Sequence, residues 1–221
     1  IPLTKENGGH GSTINKGLEL ADFISFSGHK IGTFKGIGGL IFRKKYTNIL
    51  QSNPLMVGGD QQNGIRPGTE NALFWEALYP MVDFSDDLDL DEDKLKKTYE
   101  NIKDDLFEIA EDNKIELQIN TTDSHSPYII NCSFIGIEGE ALLSAVGLLD
   151  GCISTTSACN SNTLEPSYVL TNLGYDKKRV NCAIRISWDW DVKYSTIKDF
   201  LHKQFAKAVK HLSKIKVNNI K

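Results

Sequence analysis

The feature that most constrains the fold is the alternation of short apolar, strand-like stretches with helical segments along the whole chain. Two strand patterns, residues 22–26 and 37–42, precede a helical pattern over residues 70–83, and the second strand is expected to be buried. The chain closes with an amphipathic helical pattern over residues 196–214. Between them we predict strands over residues 115–119, 128–134, 151–154 and 183–187, and helices over residues 94–110 and 138–149. This order predicts an α/β region followed by an α+β region.

An acidic run at residues 86–93, Asp-Asp-Leu-Asp-Leu-Asp-Glu-Asp, marks the sharpest change in composition. We interpret it as a domain boundary and predict domains over residues 1–85 and 86–221. The same run also suits the solvated start of a helix, because negative charge is favourable at a helix N-terminus. That second interpretation stays open at the level of sequence.

Composition and charge exclude several classes of function. The 221 residues are 40% hydrophobic and 24% charged, as in globular proteins, and the net charge of −4 predicts neither nucleic-acid binding nor attachment to an acidic membrane. No apolar run approaches the roughly 20 residues that span a bilayer. The first residue is Ile1, not methionine, so we expect a fragment or a processed product. Any targeting segment is then missing from the sequence.

Four cysteines without CxxC spacing indicate reduced thiols in an intracellular protein, cytoplasmic or mitochondrial, and no metal site is predicted. Cys132, Cys152 and Cys182 lie in apolar stretches and are expected to be buried. The fourth, Cys159, lies instead in a polar run that has no apolar face to bury and should be exposed.

A lysine follows the first strand pattern directly. Ser27, Gly28, His29 and Lys30 stand between that strand and a glycine-rich stretch. A loop of this composition at a strand end suits a phosphate, and a lysine in such surroundings can serve as a neutral amine nucleophile. An ordinary turn with a surface lysine is the alternative.

Residues 27–31 and 35–38, Ser-Gly-His-Lys-Ile and Lys-Gly-Ile-Gly, resemble the cofactor-lysine segment of the NifS-type cysteine desulfurases, in the class V aminotransferase group. The resemblance implies that Lys30 carries pyridoxal 5'-phosphate (PLP) as a Schiff base. It implies that Ser27 and His29 bind the cofactor phosphate. The family usually has Gly-Pro where Thr33 and Phe34 stand.

The glycine-rich segment over residues 58–71, which ends in Arg-Pro-Gly-Thr-Glu-Asn, resembles a second motif of the same family. The resemblance implies that Thr69 hydrogen-bonds the phosphate of the cofactor in the partner subunit, and therefore that the protein is a homodimer. From the residues alone, Thr69 is predicted to cap a helix that begins at Glu70 and to form an anion site there. The cap alone is the alternative.

Residues 153–170 are the longest match, and they resemble the active-cysteine loop of the subgroup in which that loop is long. The resemblance implies that Cys159 attacks the substrate sulfur as a thiolate and carries it away as a persulfide. A chance exposed thiol is the alternative.

Residues 183–187, Ala-Ile-Arg-Ile-Ser, resemble the strand whose arginine binds the substrate carboxylate, a task that suits a bidentate guanidinium. That arginine is Arg185, for which a structural salt bridge is the alternative. The family continues with Leu-Gly-Arg, whereas residues 188–191 are Trp-Asp-Trp-Asp. We expect this change to add acid and bulk near the substrate entrance.

Taken together, the resemblance implies the C-terminal part of a fold-type I PLP-dependent transferase: a remnant of the large domain and a small α+β domain that carries the cysteine loop. The implied enzyme converts L-cysteine to L-alanine and passes persulfide sulfur to an iron–sulfur scaffold or a tRNA-thiolation acceptor. The missing first half should supply an aspartate for the pyridine nitrogen, so the 221 residues alone are expected to be inactive.

Two alternatives remain at this stage. A selenocysteine lyase or an aminotransferase would share Lys30 and Arg185, and an aminotransferase needs no loop cysteine. A non-catalytic interaction module would keep the fold and bind partners.

Overall fold

The computed structural model describes residues 20–87, 92–122, 125–155, 166–189 and 191–215, with the backbone alone for residues 80–87 and 92. The chain divides into two compact units, Ile1–Leu90 and Asp91–Lys221. The boundary falls inside the acidic run, five residues beyond the position predicted from composition.

The first unit contains an antiparallel pair of strands, β1 (Phe23–Ser27) and β2 (Gly38–Phe42), in which Phe23 lies opposite Phe42 and Ser27 opposite Gly38. Its helices are α1 (Thr47–Ser52) and α2 (Ala72–Asp87), and 3₁₀ turns cover Gly28–Lys30, Lys44–Tyr46 and Gln61–Gly64. The second strand was expected to be buried, which is wrong for Leu40, 48% of which is exposed. Burial on both faces requires covering layers that a two-stranded sheet does not provide by itself.

The start of α2 differs from the prediction. The helix begins at Ala72, and the Asn71 side-chain oxygen accepts a hydrogen bond from the Phe74 N–H at 3.3 Å. Asn71 is therefore the capping residue, and the prediction that Thr69 caps the helix is wrong. The helix starts two residues later than Glu70, where Asn71, a preferred capping residue, is within reach of the free N–H groups.

The second unit is built on a three-stranded antiparallel sheet in the order β3 (Leu117–Ile119), β4 (Ile129–Phe134) and β5 (Ala183–Ser187). The helices are α3 (Glu92–Asp112), α4 (Gly139–Gly147), α5 (Tyr168–Asn172), α6 (Lys177–Asn181), α7 (Tyr194–Phe200) and α8 (Ala206–Ser213). A π-helical turn, Leu201–Phe205, joins α7 to α8. The closing helix predicted over residues 196–214 is confirmed, with this turn as an interruption.

The core of the second unit lies between one face of the sheet and the long helices. Side chains at alternate positions of β4 and β5 point into it, and α3 contributes Ile102, Leu106 and Ile109 at helical spacing. The rings of Phe134 and Phe205 meet edge-on, with centroids 5.4 Å apart. This packing confirms the helix predicted over residues 94–110.

Of the three cysteines that the structure describes, two are buried and one is exposed. Cys132 and Cys182 are fully buried, as predicted, and burial raises the pKa of the Cys132 thiol to about 12. Cys152 is exposed, so the prediction of burial is wrong for it. The predicted strand over residues 151–154 is also wrong, because only Ser154 forms a bridge, to Arg185. Ile153 packs against the core instead, and Cys152 beside it does not.

Candidate functional site

The lysine turn, residues 28–37, connects β1 to β2 and is organised by the backbone of Gly28. The Gly28 N–H donates to the Ile37 carbonyl at 2.8 Å, and the Gly28 carbonyl accepts from the N–H groups of Ile31 and Thr33. Gly28 is buried, and a Cβ there would lie 2.5 Å from Ile37 Cγ2. The turn therefore requires glycine at this position.

The three polar side chains around Gly28 are all available to a ligand. Ser27, His29 and Lys30 are exposed, and among the described residues none of their side chains has a hydrogen-bond or ion-pair partner. A hydroxyl, an imidazole and an amine within four residues are a donor set that fits an anionic phosphate beside an aldehyde. The residues present thus fit PLP, although no contact to it is part of the structure.

The departure at Phe34 has a structural explanation. Its ring lies 6.3 Å from that of Phe74 on α2, and Gly36, with φ of 97°, brings the chain so close that a Cβ would be 3.0 Å from Phe74 Cε2. The aromatic contact fastens the lysine turn to the helix that follows Thr69. An apolar contact thereby restrains this turn where the family uses the fixed φ of proline.

Two side-chain hydrogen bonds to the backbone of Gly68 hold the loop before Thr69. Gln61 Oε1 accepts from the Gly68 N–H at 3.0 Å, and Arg66 donates to the Gly68 carbonyl at 3.2 Å. Gln62 and Asn63 adopt positive φ values of 51° and 56°, which non-glycine residues rarely do. Thr69 follows, exposed, and no hydrogen bond joins it to the lysine turn among the described residues.

Arg185 occupies the middle of β5 between two backbone neighbours. It lies opposite Asn131 of β4, and its other side exchanges backbone hydrogen bonds with Ser154 at 2.6 and 3.0 Å. Its Nε is buried and without a hydrogen-bond partner, and no carboxylate in the described part of the chain pairs with it. The structure thus gives no support to a structural salt bridge. A buried guanidinium donor without a partner is costly unless a ligand satisfies it.

The bulk introduced at Trp188 is directed away from Arg185. Side chains alternate along the strand, so Trp188 lies on the face of Ile184 and Ile186, half-buried against the core, with its ring 6.3 Å from that of Tyr99. Trp188 therefore adds no bulk beside Arg185, and the expectation of added bulk near the substrate entrance is wrong for this residue. Trp190 lies outside the described residues.

Cys159 also lies outside the described residues, but the structure describes the residues on both sides of its segment, up to 155 and from 166 onward. On the upstream side, Ser154 pairs with Arg185 and the Thr155 hydroxyl donates to Glu140 at 2.6 Å. On the downstream side, Ser167 caps α5 by accepting from the Leu170 N–H at 3.5 Å. The upstream flank of the Cys159 segment is therefore joined directly to the residue predicted to bind the substrate carboxylate.

A second polar cluster was not predicted. The buried Asp105 accepts from Tyr194 at 2.7 Å, His202 at 3.2 Å and Lys198 at 3.5 Å. With Glu108, these groups include three potential metal ligands within 4.8 Å of one another. Because the Asp105 oxygens already have three donors, one of them a lysine, we assign the cluster a structural role that joins α3 to the closing helix.

Comparison with known proteins agrees with this arrangement. A profile of the family described as "Aminotransferase class-V" matches residues 17–200. The chain belongs to this family. Its members depend on PLP, and the fold predicted from the sequence is confirmed by the solved structures that it resembles. In the described residues, no helix is long and apolar enough to cross a membrane.

The relatives carry more specific names. The chain is 36% identical over 172 residues to a cysteine desulfurase IscS of Buchnera aphidicola, a match covering 76% of this chain and 40% of the relative. It resembles the NifS-like protein from Rickettsia africae, with a TM-score of 0.69, 25% identity, and coverage of 87% of this chain and 48% of that one. It also resembles the protein SspA in complex with cysteine, with a TM-score of 0.51, 26% identity, and coverage of 76% and 44%. The chain thus spans less than half the length of these relatives.

Proposed function

We propose that the protein containing this chain is a PLP-dependent cysteine desulfurase that converts L-cysteine to L-alanine and transfers the sulfur as a persulfide. The observation that carries the proposal is the Arg185 guanidinium, which has a buried donor without a partner and is bonded through its backbone to the flank of the Cys159 segment. Membership of the class-V family and the names of the relatives support it.

The cofactor site draws on the first unit. Lys30 holds PLP, Ser27 and His29 bind its phosphate, and Thr69 contacts the phosphate of the partner subunit in a homodimer. When bound, PLP supplies an electron sink for the substrate carbon skeleton. The exposed Lys30 amine, at the last position of the 3₁₀ turn Gly28–Lys30, moves protons at the substrate α-carbon.

The sulfur step uses the second unit. Arg185 binds the α-carboxylate of L-cysteine, and the Cys159 thiolate attacks the substrate sulfur. An S–S bond forms while the Cβ–S bond breaks, and the electron pair stays with the substrate carbon, which takes a proton and becomes the methyl group of L-alanine. The transferred sulfur is oxidised as the carbon is reduced, so the step needs no external oxidant.

The departures from the family pattern at Phe34 and at Trp188 have structural explanations. Phe34 joins the lysine turn to α2 through its contact with Phe74, and Trp188 packs, half-buried, against the core of the second unit. The family pattern has proline and leucine at these two positions, and neither side chain carries an acid, a base or a nucleophile. The acceptor in this proposal is a sulfur-acceptor protein, such as an iron–sulfur scaffold, or a component of tRNA thiolation, and the location is cytoplasmic or mitochondrial.

The test is the release of alanine from L-cysteine by the longest form of the protein that its gene encodes, loaded with PLP. We expect Cys159→Ala to abolish alanine release, and Cys152→Ala, the matched control at a thiol that the structure exposes, to leave it unchanged. Absence of alanine from the cofactor-loaded parent protein would overturn the proposal. Full activity of the Cys159→Ala variant would overturn the role of that thiol.

A further inference from the structure

A buried polar relay lies on the same face of the sheet as Arg185, opposite to the core. Arg179 on α6 donates from Nε to Asn120 Oδ1 at 2.6 Å and from Nη2 to the Ile119 carbonyl at 2.8 Å. Asn120 donates from Nδ2 to Asn131 Oδ1 and to Ser133 Oγ, both at 2.8 Å. Asn120 is only 3% exposed, and Ser133 is fully buried.

The arginine fixes the direction of every amide in this relay. A guanidinium can only donate, so the Asn120 atom that faces Arg179 must be the oxygen, and its nitrogen must face Asn131. That nitrogen can only donate, so the Asn131 oxygen must face Asn120. The Asn131 nitrogen is thereby directed away from the relay, and among the described residues it donates to no acceptor.

The rest of Asn131 is fully occupied. Its carbonyl accepts from the N–H groups of Asn120 and Thr121, and its own N–H donates to the Thr121 hydroxyl at 2.9 Å. Arg179 is restrained as well, since its guanidinium lies 3.6 Å from the centre of the Tyr175 ring. The free amide nitrogen of Asn131 is therefore an oriented donor on a rigid strand.

Asn131 and Arg185 are directly paired across β4 and β5, so their side chains lie on the same face. Opposite residues in an antiparallel pair have Cβ atoms roughly 4.5–5.5 Å apart. We propose that Asn131 donates a second hydrogen bond to the carboxylate held by Arg185, and that Arg179 is the positioning residue that orients it through Asn120. The proposal rests on the proposed function and adds a residue that selects for an α-carboxylate.

The experiment compares Asn131→Asp with the parent in the longest PLP-loaded form of the protein. Aspartate keeps the oxygen that Asn120 contacts but replaces the free donor with an oxygen that repels a carboxylate. We expect KM for L-cysteine to rise about tenfold or more, because a hydrogen bond to a charged group is lost, with kcat within about twofold. An unchanged KM would overturn the proposal.

The matched control is Gln118→Ala on the neighbouring strand β3, whose side chain bonds to Glu116 and, among the described residues, to no member of the relay. We expect it to leave KM unchanged. A second readout is the binding of cysteamine, which lacks the carboxylate, followed by the change in cofactor absorbance. Asn131→Asp should weaken binding of L-cysteine but not of cysteamine, and equal weakening of both would overturn the proposal.

Arg179 provides an independent variant should Asn131→Asp fail to fold. Arg179→Met removes the donor to Asn120 and should raise KM for L-cysteine, whereas Arg179→Lys, which can still donate, should restore it toward the parent value. Equal KM values for both variants and the parent would contradict the positioning role. If the parent protein releases no alanine, the proposed function is refuted. If the parent is active and Asn131→Asp has the same KM for L-cysteine as the parent, this inference alone is refuted.

Discussion

The two units of the chain differ in how completely they bury their own apolar side chains. The second unit encloses a continuous core, in which Phe134, Phe205 and many aliphatic side chains are fully buried. Among the first-unit residues whose side chains are described, Leu78 is the only buried hydrophobic one, while Leu55 and Val57 are at least 92% exposed. The second unit has what it needs to fold alone, whereas the first needs a further surface to cover it.

The groups proposed to bind the cofactor and the arginine proposed to bind the substrate differ in the same way. The proposed cofactor groups, Lys30 and Thr69, stand on glycine-rich loops of the less buried unit. Arg185 stands on a strand backed by the complete core. The proposed carboxylate site is therefore supported by a core within this chain, and the proposed cofactor site depends on what covers the first unit.

The largest effect should appear when the units are separated. We expect residues 91–221 to unfold cooperatively in urea and residues 1–90 to show no cooperative transition, because among the described side chains only those of the former bury a core. Circular dichroism across a urea titration of each piece measures this. A cooperative transition of the first-unit piece would contradict the comparison.

Within the second unit, Phe205→Ala should lower the free energy of unfolding by about 3–5 kcal/mol, since it empties a fully buried position against Phe134. The measurement is the shift of the urea midpoint at constant slope. A loss below about 1 kcal/mol would show that this core is loosely packed.

High pH should also weaken the second unit. Burial raises the pKa of Cys132 from 9.0 to about 12 in the folded state. The unfolded thiol ionises first, so the stabilisation is complete below pH 9 and is lost as the pH rises toward 12, by about 1.4 kcal/mol per pH unit. Urea titrations between pH 8 and 11 measure the slope. Cys132→Val should make the slope shallower, and an identical slope in that variant would contradict this assignment.

The smallest effect is expected in the first unit. Phe34 is 64% exposed, so Phe34→Ala should change the free energy of unfolding of the longest form of the protein by no more than about 1 kcal/mol. Its role is to fasten the lysine turn, and the variant should therefore weaken retention of PLP more than stability. PLP release on dialysis, measured by absorbance, distinguishes the two, and a large loss of stability with normal PLP retention would contradict this role.

The sequence correctly predicted the strands and helices whose positions depend on the local pattern of apolar residues. The strand pattern over residues 183–187 located β5, and the helical pattern over residues 94–110 located α3. The errors concern contacts that the local pattern does not carry, such as the capping of α2 by Asn71 and the exposure of Cys152.

The relay from Arg179 to Asn120 joins residues 59 positions apart, and no motif indicates it. Only the folded sheet shows that Asn131 stands beside Arg185. The lysine, threonine and cysteine assignments came from motif resemblance, and they stay predictions.

The most direct test of the account is the number of alanine molecules and of Cys159 persulfides formed per protomer. The PLP-loaded protein, in its longest form, is mixed with L-cysteine in the absence of any reductant or sulfur acceptor, and alanine is counted in the first turnover. The account predicts one alanine per protomer, matched by one persulfide on Cys159, after which release stops. Alanine formed without a persulfide on Cys159, or no alanine at all, would contradict it.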